Sequence, residues 1–390
     1  SGKKNEKITV DVKATAGAKQ ALYQNYKMMD SKELYNFHKK LYSKSLFGAL
    51  YPKTLLDQDY NWQDEFFRTG VIQDYYVSVK GGSEKVGYYA GLNYYDEQGT
   101  LITTGMKKFS ANLNLNAQIT KWLDMKAKVT FTKSTVDYPS SWTMLDDAFN
   151  KMPWDNPYEL DAEDKSTGRY LYVDNSKRSD NGKAWWSQNT WNSLNSTYYN
   201  YSTFDFSGML QLNVHFTDWL NFSTTNTFGA GYWKSTSYVD PRAYDSSYAN
   251  GYLENSIGIS KSFGTTNILK ASYQWGDHSV NGMLGWEWGT WKSEYTTASG
   301  TGMPNGVDAL NATSPFGVSG YEIPGASWAG FVQAQYDYAK RYFVTATFRA
   351  EASSIFAPEN RVGYFPSVAA SWLISNEDFM KDQDVVSFLK

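Results

Sequence analysis

The 390-residue sequence has no cysteine, three histidines, ten prolines and no apolar run near the roughly 18 residues of a membrane-crossing helix. The missing cysteines exclude a disulfide framework and thiol chemistry. His38, His215 and His278 stand far apart, so no metal-spaced cluster exists. Neither a Gly-x-Ser-x-Gly elbow nor a phosphate-cradling glycine loop is present. An enzyme is therefore not expected, nor a cofactor or metal. The net charge of -3 shows no excess of basic residues and points away from nucleic acid. With a mean hydropathy of -0.56, residence in a membrane would have to be by strands.

Aromatic residues, by contrast, make up 17% of the chain, a share that suits barrel girdles or carbohydrate-facing loops. The cleanest pattern runs from Lys107 to Ser134. Phe109, Ala111, Leu113, Leu115, Ala117 and Ile119 alternate with Ser110, Asn112, Asn114, Asn116 and Gln118. After Thr120-Lys121-Trp122, Leu123, Met125, Ala127, Val129 and Phe131 alternate with Asp124, Lys126, Lys128 and Thr130. Two period-2 runs about a three-residue turn predict a hairpin with the pairs Ala117/Met125, Leu115/Ala127, Leu113/Val129 and Ala111/Phe131. Each strand exceeds the ~5–6 residues usual in soluble sheets and approaches the ~9–11 of a tilted membrane strand. One apolar and one polar face suit a wall between hydrocarbon and water. A half-exposed sheet of a soluble protein is the alternative this hairpin leaves open.

The pattern recurs. Phe206, Gly208, Leu210, Leu212, Val214 and Phe216 lead through Thr217-Asp218-Trp219 to Leu220, Phe222, Thr224, Asn226 and Phe228, with Asn226 an exception on the apolar face. His215 alternates with these residues and is expected to face the lumen. Leu269, Ala271 and Tyr273 are set against Leu284, Trp286 and Trp288. Val332, Ala334, Tyr336 and Tyr338 are set against Tyr342, Val344, Ala346 and Phe348 about Ala339-Lys340-Arg341. Nearer the start, Ile8 to Ala14 reads as a short strand, and Ser31-Lys32-Glu33 opens one short helix containing Tyr35, Phe37 and Leu41. Tyr75–Val79 and Val86–Tyr95 form a hairpin about Gly81-Gly82-Ser83-Glu84, whose glycines would permit positive φ. Roughly 12 to 13 strands are expected. Their short turns alternate with long loops, approximately 17–71, 135–203, 233–251 and 292–326, as in outer-membrane barrels with external loops. Nine prolines (Pro52, Pro139, Pro153, Pro157, Pro241, Pro304, Pro315, Pro324 and Pro358) fall in expected loops, and only Pro366 in a strand.

Two ordered blocks carry a family likeness. The first comprises Asp59, Trp62-Gln63-Asp64-Glu65-Phe66-Phe67-Arg68-Thr69-Gly70, Ser78 to Lys85, and Tyr94-Tyr95-Asp96-Glu97-Gln98-Gly99. The second runs from Gln335 to Ala346, then Asn360-Arg361-Val362-Gly363-Tyr364-Phe365-Pro366-Ser367-Val368 and Trp372. This succession resembles the SusC/RagA family of TonB-dependent outer-membrane transporters, over the whole chain with gaps in the long loops. The family's usual Arg-x-Asp-Gly-Ser-Ser-Arg-Phe is here Arg349-Ala350-Glu351-Ala352-Ser353-Ser354-Ile355-Phe356, so the Gly and second Arg are missing. The resemblance implies an all-β fold, with residues 1–390 an antiparallel transmembrane segment of a 22-stranded β-barrel, after an N-terminal plug and before the closing strands. The start at Ser1, without Met or signal sequence, points the same way. It further implies a Bacteroidetes-type outer membrane and its lipid, and a SusD-like surface lipoprotein. Coupling to the TonB complex would run through an N-terminal region absent here, and the ligand would be an oligosaccharide or peptide.

The 135–203 region lacks a sustained period but holds Trp142, Trp154, Trp185, Trp186 and Trp191, the candidate substrate-binding residues. Indole faces stack on sugar rings while neighbouring amides and carboxylates hydrogen-bond, and Trp154-Asp155-Asn156 and Trp185-Trp186-Ser187-Gln188-Asn189 offer both. The same rings could instead pack the loop's own core or meet a partner protein. Asp146-Asp147 and Glu163-Asp164 read as solvated charge, with calcium the alternative. The reading is a barrel segment importing oligosaccharides or similarly bulky nutrients. Its rivals are a soluble or surface β-rich glycan-binding module and, third, a barrel-embedded hydrolase dependent on His215.

Overall fold

The computed structural model describes residues 4–22, 27–139, 148–155, 158–160, 166–170, 197–241, 250–380 and 385–390. In chain order the elements are β1 (Thr9–Lys19), α1 (Ser31–Leu41), α2 (Lys44–Leu50), α3 (Trp62–Phe66), β2 (Gly70–Gly82), β3 (Val86–Gln98), β4 (Gly105–Gln118) and β5 (Leu123–Tyr138). Next come β6 (Tyr158–Leu160), β7 (Ser166–Tyr170), β8 (Thr197–His215), β9 (Leu220–Val239), β10 (Tyr252–Trp275) and β11 (His278–Thr301). The last are β12 (Ser314–Tyr338), β13 (Tyr342–Ser353) and β14 (Val362–Trp372). Twelve strands pair in chain order into one antiparallel sheet, while β6 and β7 pair only with each other. Among the described residues β1 and β14 pair on one side only, so the sheet is open. No helix among them is long and apolar enough to cross a membrane.

The predicted hairpin pairs all occur: Ala117 with Met125, Leu115 with Ala127, Leu113 with Val129 and Ala111 with Phe131. Because paired residues share a face, the parity set here propagates across the sheet. Leu113 pairs with Ala90, Val129 with Gly208, Leu269 with Phe222 and Leu284, and Val332 with Leu284 and Phe348. This shared outward face is apolar, and none of the described residues forms a core against it: Leu113 is 49% exposed, Leu284 57% and Trp286 52%. Its lower edge carries Trp122, Trp219, Trp275 and Trp372 and its upper edge Phe109, Phe228, Trp288 and Trp328, all exposed. From Phe109 to Ile119 a strand tilted by ~40° rises roughly 26 Å, the height of an outer-membrane apolar band flanked by aromatic girdles.

Asn226 is no lone exception. It lies opposite Thr265, next to the Thr224–Asn267 pair, so four polar residues adjoin on the outward face. Asn226 Nδ2 donates to Thr224 Oγ1 at 3.2 Å and Asn267 Nδ2 to Thr265 Oγ1 at 3.1 Å. Local pairing of this kind lowers the cost of amides in an apolar setting.

Several expectations need correcting. The loop expected over 292–326 shrinks to 302–313, because β11 and β12 continue far past the apolar band. Strands β9 and β5 likewise reach Val239 and Tyr138. Beyond the band both faces meet water, so the hydrophobic period that marks a strand disappears while the backbone ladder goes on. Pro315 and Pro324 consequently lie in β12, not in a loop. Pairing of β12 with β13 begins only at Ser327, so both prolines sit where β12 is an edge and no second partner asks for their N–H. Gly81 and Gly82 end β2 without positive φ. Gly81 is needed for close approach instead, since a Cβ there would come within 2.8 Å of the Tyr88 hydroxyl. Left-handed residues occur instead in other strand connections, as at Ala339 (φ 52) and Lys340 (φ 53) between β12 and β13 and at Gly276 (φ 54) between β10 and β11.

The single helix expected in the first excursion is three. Asp30 caps α1: its Oδ1 accepts from Glu33 N–H at 2.7 Å while Glu33 Oε2 accepts from Asp30 N–H at 3.2 Å. Helix α3 carries Trp62 and Phe66 into a core with Leu101 and Ala148. The Trp62 indole donates to the Met152 carbonyl at 2.9 Å, and Arg68 donates to the carbonyls of Gly99 and Thr104 at 3.1 Å each. The first excursion and the 148–155 segment are thereby fastened together over the β3–β4 end of the sheet.

Candidate functional site

Opposite the apolar face, the inner face is polar along its lower half, with Asn112, Asn114, Asn116, Lys126, Lys128, Gln211, Asn213, Thr225 and Thr266. His215 is there as expected, with Nε2 3.0 Å from Asp124 Oδ2. Above the band the inner face turns aromatic. Trp233 lies in the cross-strand row Thr203–Trp233–Gly258–Tyr295–Tyr321, which crosses β8 to β12. The Trp233 ring centroid is 5.7 Å from that of Tyr201 and 5.8 Å from that of Tyr295, and Tyr295 is 5.2 Å from Tyr321, with interplanar angles of 31° to 33°.

Glycine makes the row possible. Gly258 stands between Trp233 and Tyr295, and a Cβ on it would come within 2.1 Å of the Trp233 Nε1, so the indole reaches across β10 only because that residue has no side chain. The same device recurs where Trp291 lies against Gly325 and Phe331 against Gly285, with would-be Cβ contacts of 2.0 and 2.3 Å. Such filling of glycine positions by aromatics stiffens a sheet while leaving ring surface open to the lumen.

Lower on the inner face, Arg349 donates from Nη2 to Glu287 at 2.9 Å and from Nε to Glu351 at 2.7 Å, with its guanidinium 5.6 Å from the Phe331 ring centroid. Arg349, Glu287 and Glu351 line a cleft of about 450 Å³ together with Arg361 and Phe365. Glu287, Trp291 and Tyr295 follow on the inner face of β11, so this ion cluster and the aromatic row lie roughly 26 Å apart along one strand. Arg349 and Glu351 belong to the stretch that departs from the family pattern, and here they pair with each other and with Glu287.

Of the predicted site residues, Trp154 is described. It packs edge-on against His38 and Tyr51, at centroid distances of 6.0 and 6.2 Å, in the aromatic cluster of the first excursion. Burial there holds His38 below its ordinary pKa, and its Nδ1 has no hydrogen-bond partner. Trp142, Trp185, Trp186 and Trp191, like Asp146-Asp147 and Glu163-Asp164, lie outside the described residues. Among those described, no group of three or more metal-ligating side chains occurs. A second fastening joins the loops after β9 and β11. Tyr238, Leu253 and Met303 form a small core, buried Asp240 accepts from Tyr238 OH at 2.9 Å and Gly306 N–H at 2.6 Å, and Asp308 accepts from Tyr198 at 2.9 Å. Burial, with Asp308 beside it, pushes the Tyr198 hydroxyl up to about 12.

Sequence reasoning missed Trp233, Tyr295 and Tyr321 because they fell in stretches read as loops, and Trp291 because it stood just before one, past the last apolar pair assigned to its strand. The available signal was the Trp291, Ser293, Tyr295, Thr297 alternation against Lys292, Glu294 and Thr296.

An open antiparallel meander with a lipid-type outer face, a polar inner face and one-ended long excursions is a segment of an outer-membrane β-barrel wall. No family model matches the chain. It is 25% identical over 370 residues to the TonB-dependent receptor SusC of Bacteroides thetaiotaomicron, covering 90% of this chain and 36% of that relative. It is also 25% identical over 349 residues to the TonB-dependent receptor P3 of Formosa agariphila, covering 85% and 33%. Among solved structures, the RagAB peptide importer in its "open-open" state matches with a TM-score of 0.74 at 18% identity, over 97% of this chain and 45% of the other. Its "closed-closed" state gives 0.72, over 98% and 46%. Sequence and fold together support a SusC/RagA-like segment of a TonB-dependent transporter barrel, located in the outer membrane and not an enzyme. The chain spans about a third of the length of these curated relatives.

Proposed function

We propose that residues 1–390 form part of a larger barrel that imports an oligosaccharide across the outer membrane, and that the inner aromatic row is a surface on which the sugar rings are received. The observation that carries this reading is the run Tyr201, Trp233, Tyr295 and Tyr321 on the inner wall at the mouth of the barrel. Ring faces bind the C–H faces of sugars with little dependence on sequence of the glycan, and the serines around them (Ser260, Ser262 and Ser293) offer hydroxyls to the sugar hydroxyls. Coupling to TonB through an N-terminal region, a plug, and a SusD-like lipoprotein belong to the same proposal, as does a further contact from the loop that holds Trp142, Trp185, Trp186 and Trp191. A peptide is the second reading. It is favoured by the Arg349, Glu287 and Glu351 cluster, which could exchange its internal pairs for a peptide's charged ends.

The test is carried out in the complete transporter with Trp233→Ala/Tyr295→Ala. Oligosaccharide binding and uptake should fall while outer-membrane abundance stays the same. Peptide uptake lost on Arg349→Gln, with oligosaccharide binding absent from the wild type, would replace the first reading by the second.

A further inference from the structure

The outward face carries five lysines just above the apolar band, on β4, β5, β9, β10 and β11. On four strands the lysine is the next outward residue after an aromatic at the top of the band: Lys107 after Phe109, Lys133 after Phe131, Lys234 after Tyr232 and Lys261 after Phe263. On β11, Lys292 follows Trp288 with Thr290 between. Below these aromatics the outward positions of the described strands hold neither lysine nor arginine. On the outward positions of the described strands cations thus mark the upper rim, while at the lower end Lys121, Lys340 and Arg341 stand in the turns, in a chain whose net charge is -3.

The acids on this face do not use up these cations. Glu294 and Glu322 both engage Lys292, at 2.7 and 2.9 Å. Asp96 stands 3.9 Å from Lys107, and Asp137 accepts from Asn200 at 2.6 Å. Lys133, Lys234 and Lys261 are exposed and make no ion pair among the described residues. Lys261 stands directly opposite Lys292, whose own charge Glu294 and Glu322 already engage. A lysine one position above a girdle aromatic has its stem along the ring and its ammonium at the depth where lipid headgroups begin.

We propose that this rim, with Lys133, Lys234 and Lys261 as its open members, binds the phosphate of outer-leaflet lipid headgroups and so fixes the height of the barrel in the membrane. The occupant is a phosphate carried by a lipid, because the lysines continue upward from an apolar face that would hold its acyl chains. This rests on the membrane reading of the outward face.

The experiment uses the complete transporter in neutral detergent and measures retention of phosphorylated lipid A by native mass spectrometry. The same lipid after dephosphorylation and inorganic phosphate serve as comparison probes. Each lysine near an anionic surface is worth roughly a factor of five, so Lys133→Gln/Lys234→Gln/Lys261→Gln should lower retention by about a hundredfold. The triple Arg variant should retain the lipid, which also controls for folding. Unchanged retention in the Gln variant, equal retention of the dephosphorylated lipid, or full displacement by inorganic phosphate would each overturn the proposal. Oxygen accessibility of a spin label at residue 113 in the same protein in bilayers separates this failure from failure of the membrane reading itself.

Discussion

The indole of Trp233 reaches across Gly258 toward Tyr295, its Nε1 lying where a Cβ on residue 258 would be only 2.1 Å away. A side chain at 258 must therefore lift the ring off the wall. Gly258→Val should leave the ladder of β10 intact, since valine suits a strand, but expel Trp233 from the row. Oligosaccharide affinity should drop by roughly 0.5–1.5 kcal/mol, the worth of one aromatic contact. Combining Gly258→Val with Trp233→Ala should add nothing to Trp233→Ala alone, because both remove the same surface. Calorimetric titration of the three variants checks this, and an additive double variant would deny the link.

Leu115 and Asn114 are neighbours on β4 that face different media. In bilayers, Leu115→Arg should destabilise the barrel by roughly 2–4 kcal/mol if it lies near the midplane, and Asn114→Arg far less. Spin labels placed in turn at residues 113 to 116 should alternate, with oxygen accessibility high at 113 and 115 and access to a water-soluble relaxant high at 114 and 116. Residues 113 and 115 closed to both reagents would instead indicate a dry protein core.

His38 gives a pH dependence with a definite sign. Burial against Tyr42, Tyr51 and Trp154 lowers its pKa below the usual 6.5, so the unfolded segment binds the proton more readily than the folded one. The contribution of neutral His38 is complete above pH 6.5 and is lost as pH falls through the lower folded value. Hydrogen exchange of Ser31–Leu41 should therefore accelerate, after correction for intrinsic rates, between about pH 7.5 and about pH 5. His38→Phe should remove the dependence. If that variant keeps the same pH profile, another group is responsible.

Trp62 joins two excursions that are distant in sequence. It is 3% exposed and its indole donates to the Met152 carbonyl. Trp62→Ala should cost about 3–5 kcal/mol locally, from lost burial and the cavity left behind. The expected readout is protease cleavage within the 27–67 and 148–155 segments at unchanged barrel stability. Cleavage no faster than in the wild type would mean that the junction is held elsewhere.

The two-sided character of the wall was legible in the sequence because a period of two admits one geometry. Once Ile119 faces Leu123, every partner down to Ala111 and Phe131 follows, and the structure has those pairs. The Trp-bearing turn at 217–219 and the Ala339-Lys340-Arg341 turn were legible for the same reason. Where the strands leave the apolar band, Lys292, Glu294 and Glu322 replace apolar outward residues and the signal ends, although backbone pairing does not.

Tertiary structure alone decided the lateral rows. Tyr201, Trp233, Tyr295 and Tyr321 come from four strands, and nothing local relates their positions. Their meeting depends on the registers of four successive pairings at once and on Gly258 leaving room between two of them. The fate of the Trp62 to Gly70 block was equally hidden, for its tryptophan and arginine serve the junction of loops that the chain visits far apart. A strand's alternation records which side each residue faces, because that depends on solvent. Which residues become neighbours along the sheet depends on the sum of register choices made elsewhere in the chain.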